Sequence, residues 1–218
     1  MVAIPADIGL DAASLLACGV ITGLGAVFNT AQVPGGADVV VVGTGGVGLN
    51  SVQGAALCGA RSVVALDLSD SKLAAARRFG ATHTLNPGRD DVTAAIKQLT
   101  HGRGADFVFV TVGAKRAIEQ AFPALARGGA VVIVGMPPDG TEIVFDPVTL
   151  AARGQKVLGS KMGSARVPID IPYLVDLYRQ GRLKLDELIS GRFPLEEVNA
   201  AVAGVTRGEA LRNVIVFP

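Results

Sequence analysis

Residues Val39–Gly48 read V-V-V-V-G-T-G-G-V-G, and Asp67 closes a second apolar run, V-V-A-L-D, about twenty residues later. A short all-apolar strand running into Gly43, Gly45 and Gly48 at G-x-G-x-x-G spacing, with an acid at that distance, is the fingerprint of a strand–turn–helix unit that binds a dinucleotide. Gly43 lets the chain leave the strand in a tight turn. Gly45, lacking a Cβ, lets the backbone approach a pyrophosphate. Gly48 lets the following helix pack hard against the sheet. That helix, beginning near Gly46, aims unpaired N–H groups and its positive dipole end at the phosphates. Asp67 is placed to accept hydrogen bonds from both hydroxyls of an adenine ribose.

Glycine turns are common in a chain with 28 glycines. The strand before, the helix after and Asp67 are what make the pattern specific. S-adenosylmethionine methyltransferases share the layout, usually with an acid just before the first glycine. Here Val41 and Val42 hold that place. A carboxylate at Asp67 repels a 2′-phosphate, and Leu68-Ser69-Asp70 bring no arginine to receive one. NAD(H) is therefore expected over NADP(H).

At 218 residues the chain holds one domain of ordinary size, or one with appendages. A formal net charge of +1 leaves no electrostatic footprint for nucleic acid or an anionic membrane. Two cysteines, Cys18 and Cys58, exclude a disulfide framework and fit a reducing cytoplasm. The opening Met1-Val2-Ala3-Ile4-Pro5 lacks a basic region and meets Asp7, so no signal peptide is expected. Residues 12–37 carry no charge, a length that mimics a membrane span. Glycines 19, 23 and 25 with Thr22, Asn29, Thr30 and Gln32 interrupt it, so a buried helix packed on small residues is expected and no membrane segment.

Strands are expected at Ser62–Leu68, Thr82–Leu85, Phe107–Val112, Ala130–Gly135 and Gln155–Ser160, alternating with helices at Val47–Leu57, Asp70–Arg78, Asp91–Leu99 and Arg116–Leu125. Ser69 reads as an N-cap, Asp70 and Asp91 as caps or turn formers, and Gly128-Gly129 as a turn. Strict alternation implies right-handed crossovers and a doubly wound, six-stranded parallel sheet, an α/β Rossmann fold. Beyond Ser160 the rhythm breaks: Pro168, Pro172, a helix near Tyr173–Gln180, a segment Leu185–Ile189, a helix at Leu195–Ala203 and a closing strand Asn213–Phe217 do not extend it. The expected division is 1–19, then a nucleotide domain at 20–161, then a carboxyl-terminal segment at 162–218.

Several phrases then line up in order: Leu16-Ala17-Cys18-Gly19 with Thr22-Gly23, Val33-Pro34-Gly35-Gly36, the 43–48 loop, Asp67 with Lys72, Phe79-Gly80-Ala81-Thr82, Gly129–Pro137, and Leu211–Ile215. Together they resemble the carboxyl-terminal part of zinc-dependent alcohol dehydrogenases, the medium-chain dehydrogenase/reductase family, including its class III branch. The resemblance implies that Cys18 is one ligand of a catalytic zinc and that Thr22 packs against the nicotinamide. It implies a pyrophosphate loop of Thr44, Gly45, Gly46 and Val47, and an adenine ribose held by Asp67 and Lys72. Val112 and Gly113 would line the cofactor cleft, and the backbones of Val134, Ser160 and Met162 would meet the carboxamide. Arg212 would reach the pyrophosphate.

The family's amino-terminal catalytic domain, with two further zinc ligands and a proton relay, has no counterpart here. Catalytic zinc normally takes three protein ligands. The remaining soft candidates are Cys58 in the fingerprint helix, His83 entering a strand and His101 in a polar loop, and all three read as structural or solvated. Each family role has a plainer reading beside it. Cys18 reads alone as a small buried thiol, Arg212 as a surface arginine, and Lys72 as a solvated helix residue whose offset from Asp67 favours ribose contact. Tyr173 and Tyr178 lack Y-x-x-x-K spacing.

The resemblance implies NAD-dependent hydride transfer between an alcohol, or an aldehyde adduct, and the cofactor in the complete enzyme, with zinc as Lewis acid. This chain alone is expected to bind NAD(H) with little or no turnover and not to hold zinc. The rival expectation is a non-catalytic NAD-binding sensor or assembly module. Relatives dimerise through their sixth strands, which implies a homodimer here, and the cysteine usage sets the expected localisation as cytoplasmic.

Overall fold

The computed structural model describes residues 2–208 and 210–217. Met1, Glu209 and Pro218, which fall in the opening and closing flanks of the sequence reading, lie outside the described residues. The chain forms two compact units, one of Thr22–Ala165 and one of Met1–Ile21 with Arg166–Pro218.

The first unit is a doubly wound α/β Rossmann fold, as the alternation predicts. Its six parallel strands are β1 (Asp38–Val42), β2 (Ser62–Leu66), β3 (His83–Leu85), β4 (Ala105–Val110), β5 (Leu125–Ile133) and β6 (Lys156–Gly159). They stand in the order β3-β2-β1-β4-β5-β6, so the winding reverses between β1 and β4. Helices Gly48–Leu57, Asp70–Arg78, Val92–Leu99, Lys115–Glu119 and Pro147–Arg153 connect them. Val40 pairs with Val64 on one side and Val108 on the other, and Val108 pairs with Val131. All four are buried in one core with Ile96, Ile118 and Leu125. Covered strands favour β-branched side chains, and each such burial stabilises by about 2 kcal/mol.

β1 begins on a charge. Asp38, only 2% exposed, accepts from Arg61 through both guanidinium positions, from Ser62 Oγ at 2.8 Å and from Arg103 at 3.1 Å. Its own N–H donates to Asp106 Oδ2 at 2.8 Å. Burial pushes the Asp38 carboxyl up, but the Arg61, Ser62 and Arg103 hydrogen bonds outweigh it and hold the group below its ordinary pKa.

The expected helix Arg116–Leu125 is cut short. It spans Lys115–Glu119, a 3-10 turn covers Phe122–Ala124, and Leu125 already opens β5, paired with Ala105. Pro123 has no N–H to continue an α-helix. Gly128-Gly129 is therefore not a helix-to-strand turn but lies inside β5, where the register jumps from Ala105↔Leu125 to Phe107↔Ala130. A Cβ on Gly129 would sit 2.8 Å from the Ala105 carbonyl oxygen, so only glycine fits the jump. β2 and β4 end two residues earlier than expected, which frees Asp67 and Val112 from the sheet. Asp91 caps its helix by accepting from Ala94 N at 3.1 Å. Ser69 occupies the N-cap position without a capping bond, its hydroxyl meeting Ser71 instead. Asp70 pairs with Arg89 and Asn86 rather than capping.

In the second unit the helix near Tyr173 begins earlier than expected, spanning Val167–Arg179. Pro168 sits in its first turn, where no N–H is needed, and Asp170 accepts from the Arg166 N–H at 2.7 Å. Residues Ile189–Phe193 form a strand, β7, that the sequence reading missed; it runs parallel to β8 (Arg212–Ile215). Helix Val198–Thr206 connects the two. Arg179 pairs with Asp7 and Arg192 with Asp11.

The uncharged segment is helical from Leu10 to Thr30, with π turns at Leu16–Val20 and Ala26–Thr30. Among the described residues it is the one helix long and apolar enough to cross a membrane, and 61% of its most apolar window is buried.

Candidate functional site

The carboxyl ends of β1, β4, β5 and β6 carry most of the residues singled out by sequence. Gly43 leaves β1 at φ 88°, a left-handed conformation that glycine adopts freely. A Cβ there would fall 2.4 Å from Val112 Cγ1. A Cβ on Gly48 would fall 1.8 Å from the Gly43 carbonyl oxygen, so the fingerprint helix starts against the turn it follows. The Thr111 hydroxyl is shared between the carbonyl oxygens of Val42 at 3.0 Å and Gly43 at 2.9 Å. The buried Asn50 amide donates to the Gly46 carbonyl at 2.7 Å. Gly45 differs from both flanking glycines: no atom lies within 4 Å of where its Cβ would be. The space over Gly45 is open, a cradle that a side chain would fill.

Asp67 is bound to this loop. Its Oδ2 accepts the Thr44 N–H at 2.8 Å and the Thr44 hydroxyl at 3.0 Å, while Oδ1 accepts the Ser69 N–H at 2.9 Å. An ionised carboxylate has about four acceptor positions, so capacity remains for a further donor. Lys72 lies half-buried in the helix Asp70–Arg78 and is not among these partners of Asp67.

Past the reversal, β4 and β5 leave the sheet back to back. A Cβ on Gly135 would fall 2.4 Å from the Val112 carbonyl carbon, and one on Gly113 would fall 2.3 Å from the Met136 carbonyl oxygen. Val134 is buried and donates its N–H to Val110 at 2.9 Å. After β6, Ser160 is buried, and its hydroxyl meets that of Thr30 at 2.9 Å. Met162 is exposed, and its sulfur accepts from the Thr22 hydroxyl at 3.8 Å. Thr111, Asn29, Thr30 and Ser164 were not among the site residues expected from sequence, Asn29 and Thr30 having been read only as polar interruptions of an apolar helix. Thr111 ends an apolar run and was legible as an isolated hydroxyl; the others are brought together from positions more than 130 apart.

Cys18 and Arg212 belong to the other unit. Cys18 is exposed in the π turn Leu16–Val20, contrary to the plain reading of a buried thiol. A Cβ on the neighbouring Gly19 would fall 2.1 Å from Arg212 Nη2, so the guanidinium lies directly on this glycine. Burial pushes the Arg212 pKa down, and Cys18 partly offsets it. The plain reading of Arg212 as a surface residue does not fit that packing. Among the described residues no three His, Cys, Asp or Glu side chains cluster as metal ligands.

The sheet order and the glycine turn define a doubly wound α/β protein of the Rossmann class. The family model for zinc-binding dehydrogenases matches residues 46–180, and the chain belongs to that family. A class-3 alcohol dehydrogenase of Cereibacter sphaeroides is 39% identical over 97% of this chain, and an S-(hydroxymethyl)glutathione dehydrogenase of Paracoccus denitrificans is 37% identical over 97%. The chain spans 58% of the length of both. The crystal structure of benzyl alcohol dehydrogenase from Acinetobacter calcoaceticus matches all of this chain and 59% of its own, with a TM-score of 0.96 at 34% identity.

Proposed function

We propose that the chain is the NAD(H)-binding portion of a zinc-dependent alcohol dehydrogenase. The observation that carries this is the contrast within the glycine loop: Gly43 and Gly48 are filled by protein contacts, whereas Gly45 faces open space. A phosphate approaching there meets the amino end of the helix Gly48–Leu57, whose positive dipole end favours an anion. Asp67 holds the loop through Thr44 and offers its spare acceptor capacity to ribose hydroxyls, with Lys72 beside it in sequence. The same carboxylate repels a 2′-phosphate, which selects NAD(H).

The bound nicotinamide would supply hydride chemistry between an alcohol, or an aldehyde adduct, and its ring. This chain's residues bind and orient it. Val112 and Gly113 line the route from the pyrophosphate loop, and the backbones of Val134, Ser160 and Met162 receive the carboxamide. Thr22 packs against the ring. For zinc the described residues offer Cys18 without a second and third ligand around it. Cys18 is proposed as one zinc ligand in the complete enzyme, the other ligands coming from outside this chain. We further propose little alcohol turnover by this chain alone and a cytoplasmic homodimer joined along β6, an edge strand whose Val157 is 40% exposed.

The test is a fluorescence titration of the purified chain with NADH and NADPH, with bound zinc counted in the same sample. Saturable NADH binding, stronger than NADPH, supports the reading. Absence of binding to either cofactor removes it, and stoichiometric zinc with alcohol turnover removes the assignment of low activity.

A further inference from the structure

Three consecutive residues after β6, Met162, Gly163 and Ser164, lie in the left-handed region, at φ 51°, 67° and 49°. Two of them carry side chains that disfavour it, and such a run persists only where surrounding contacts over-determine it. The contacts come from one short stretch of helix. Thr30 Oγ1 lies 2.9 Å from Ser160 Oγ and 2.8 Å from Ser164 Oγ, so a single hydroxyl bridges a residue two places ahead of the turn and the residue that ends it. Asn29 Nδ2 donates to the Gly163 carbonyl at 3.3 Å. Gly25 makes the approach possible, since a Cβ there would fall 2.5 Å from the same carbonyl oxygen. At the base of the turn, Ser160 N donates to Ile133 at 2.9 Å, which ties it to β5.

A hydroxyl has one proton and two lone pairs, so Thr30 can bond both serines at once, donating to one and accepting from the other or accepting from both. Valine has the same shape and does neither. The turn stands at the carboxyl end of β6, beyond the β1/β4 reversal and on the side away from Asp67. A dinucleotide lying across that reversal directs one half toward Asp67 and the other toward β4, β5 and β6.

We propose that Thr30 is a positioning residue for the nicotinamide half of the cofactor. By bridging Ser160 and Ser164 it holds the left-handed turn, and so presents the Ser160 and Met162 backbone in one geometry. The proposal rests on NAD(H) binding as read above, and it separates the two halves of the ligand. ADP-ribose carries the adenosine and pyrophosphate without the nicotinamide, so it does not use the turn.

The experiment is calorimetric titration of the full chain and of Thr30→Val with NADH and with ADP-ribose. Loss of the bridge is expected to weaken NADH about tenfold, leave ADP-ribose within about twofold, and be reversed in Thr30→Ser. Unchanged NADH affinity in Thr30→Val, or an equal loss for both ligands, overturns the proposal. If Thr30→Val does not fold, Ser164→Ala decides by the same ratio, because it removes one end of the bridge and keeps the Thr30–Ser160 bond. Failure of the unmodified chain to bind either ligand overturns the cofactor reading itself, an outcome distinct from equal binding by chain and variant.

Discussion

Asp67 and Thr44 are joined twice, through the Thr44 N–H at 2.8 Å and its hydroxyl at 3.0 Å, both to the same carboxylate oxygen. The acid at the end of β2 therefore holds the glycine loop that follows β1. The side chain proposed to recognise the ribose is thus the one that holds the glycine loop in place.

Replacing Asp67 with glycine is accordingly expected to act on both. Hydrogen bonds to a charged group contribute about 1.5–3 kcal/mol each, so NADH affinity should fall at least about tenfold, and the preference over NADPH should narrow. Parallel NADH and NADPH titrations check this; an unchanged NADH constant means the acid has been assigned wrongly.

The loop glycines should respond differently to alanine. Gly48→Ala forces a Cβ against the Gly43 carbonyl and is expected to destabilise by about 2 kcal/mol or more. Gly45→Ala meets no protein atom and should leave the melting temperature almost unchanged while abolishing detectable NADH binding. Paired thermal melts and titrations separate the two, and a large fall in melting temperature for Gly45→Ala would contradict the open cradle.

Asp38 predicts an acid limit. Its pKa is depressed in the folded chain, so its contribution is fully present above about pH 4 and is lost as pH falls through the lower folded value. Asp38→Asn removes the charged acceptor of Arg61, Ser62 and Arg103 and should cost about 1–2 kcal/mol at neutral pH, since both arginines are half exposed and Arg103 keeps Asp106. Urea unfolding from pH 7 down to pH 3 should show the variant's deficit shrinking toward the acid end.

The two thiols should alkylate at different rates. Cys18 is exposed, whereas burial pushes the Cys58 thiol up and leaves less thiolate at any given pH. Limited iodoacetamide treatment followed by peptide mass analysis should find Cys18 modified first; faster labelling of Cys58 would contradict the structure.

Sequence patterns carried some of these features and were blind to others. β1 was legible because four valines run into glycine, and the alternation of strands and helices then implied a parallel sheet around it. The start of β5 was not, because Gly128-Gly129 looks like a turn in one dimension, while the Ala105 carbonyl that it accommodates comes from another strand. β7 was missed because I-S-G-R-F is short and only partly buried. Within the site, Gly43, Gly48 and Asp67 could be named from spacing. The meeting of Thr30 with Ser160 and Ser164 joins residues 130 and 134 apart, which no local period encodes.

The charge cluster at the head of β1 bears on how the sheet opens. Asp38 ties β1 to β2 through Arg61 and Ser62, and to β4 through Arg103 and Asp106, so the three central strands are fastened at one end. Amide protons of Val39–Val42 should therefore exchange with deuterium only when the whole unit unfolds, while those of β3 and β6, at the edges, exchange through local fraying. The slowest amides would then measure the global stability of Thr22–Ala165 directly, without denaturant.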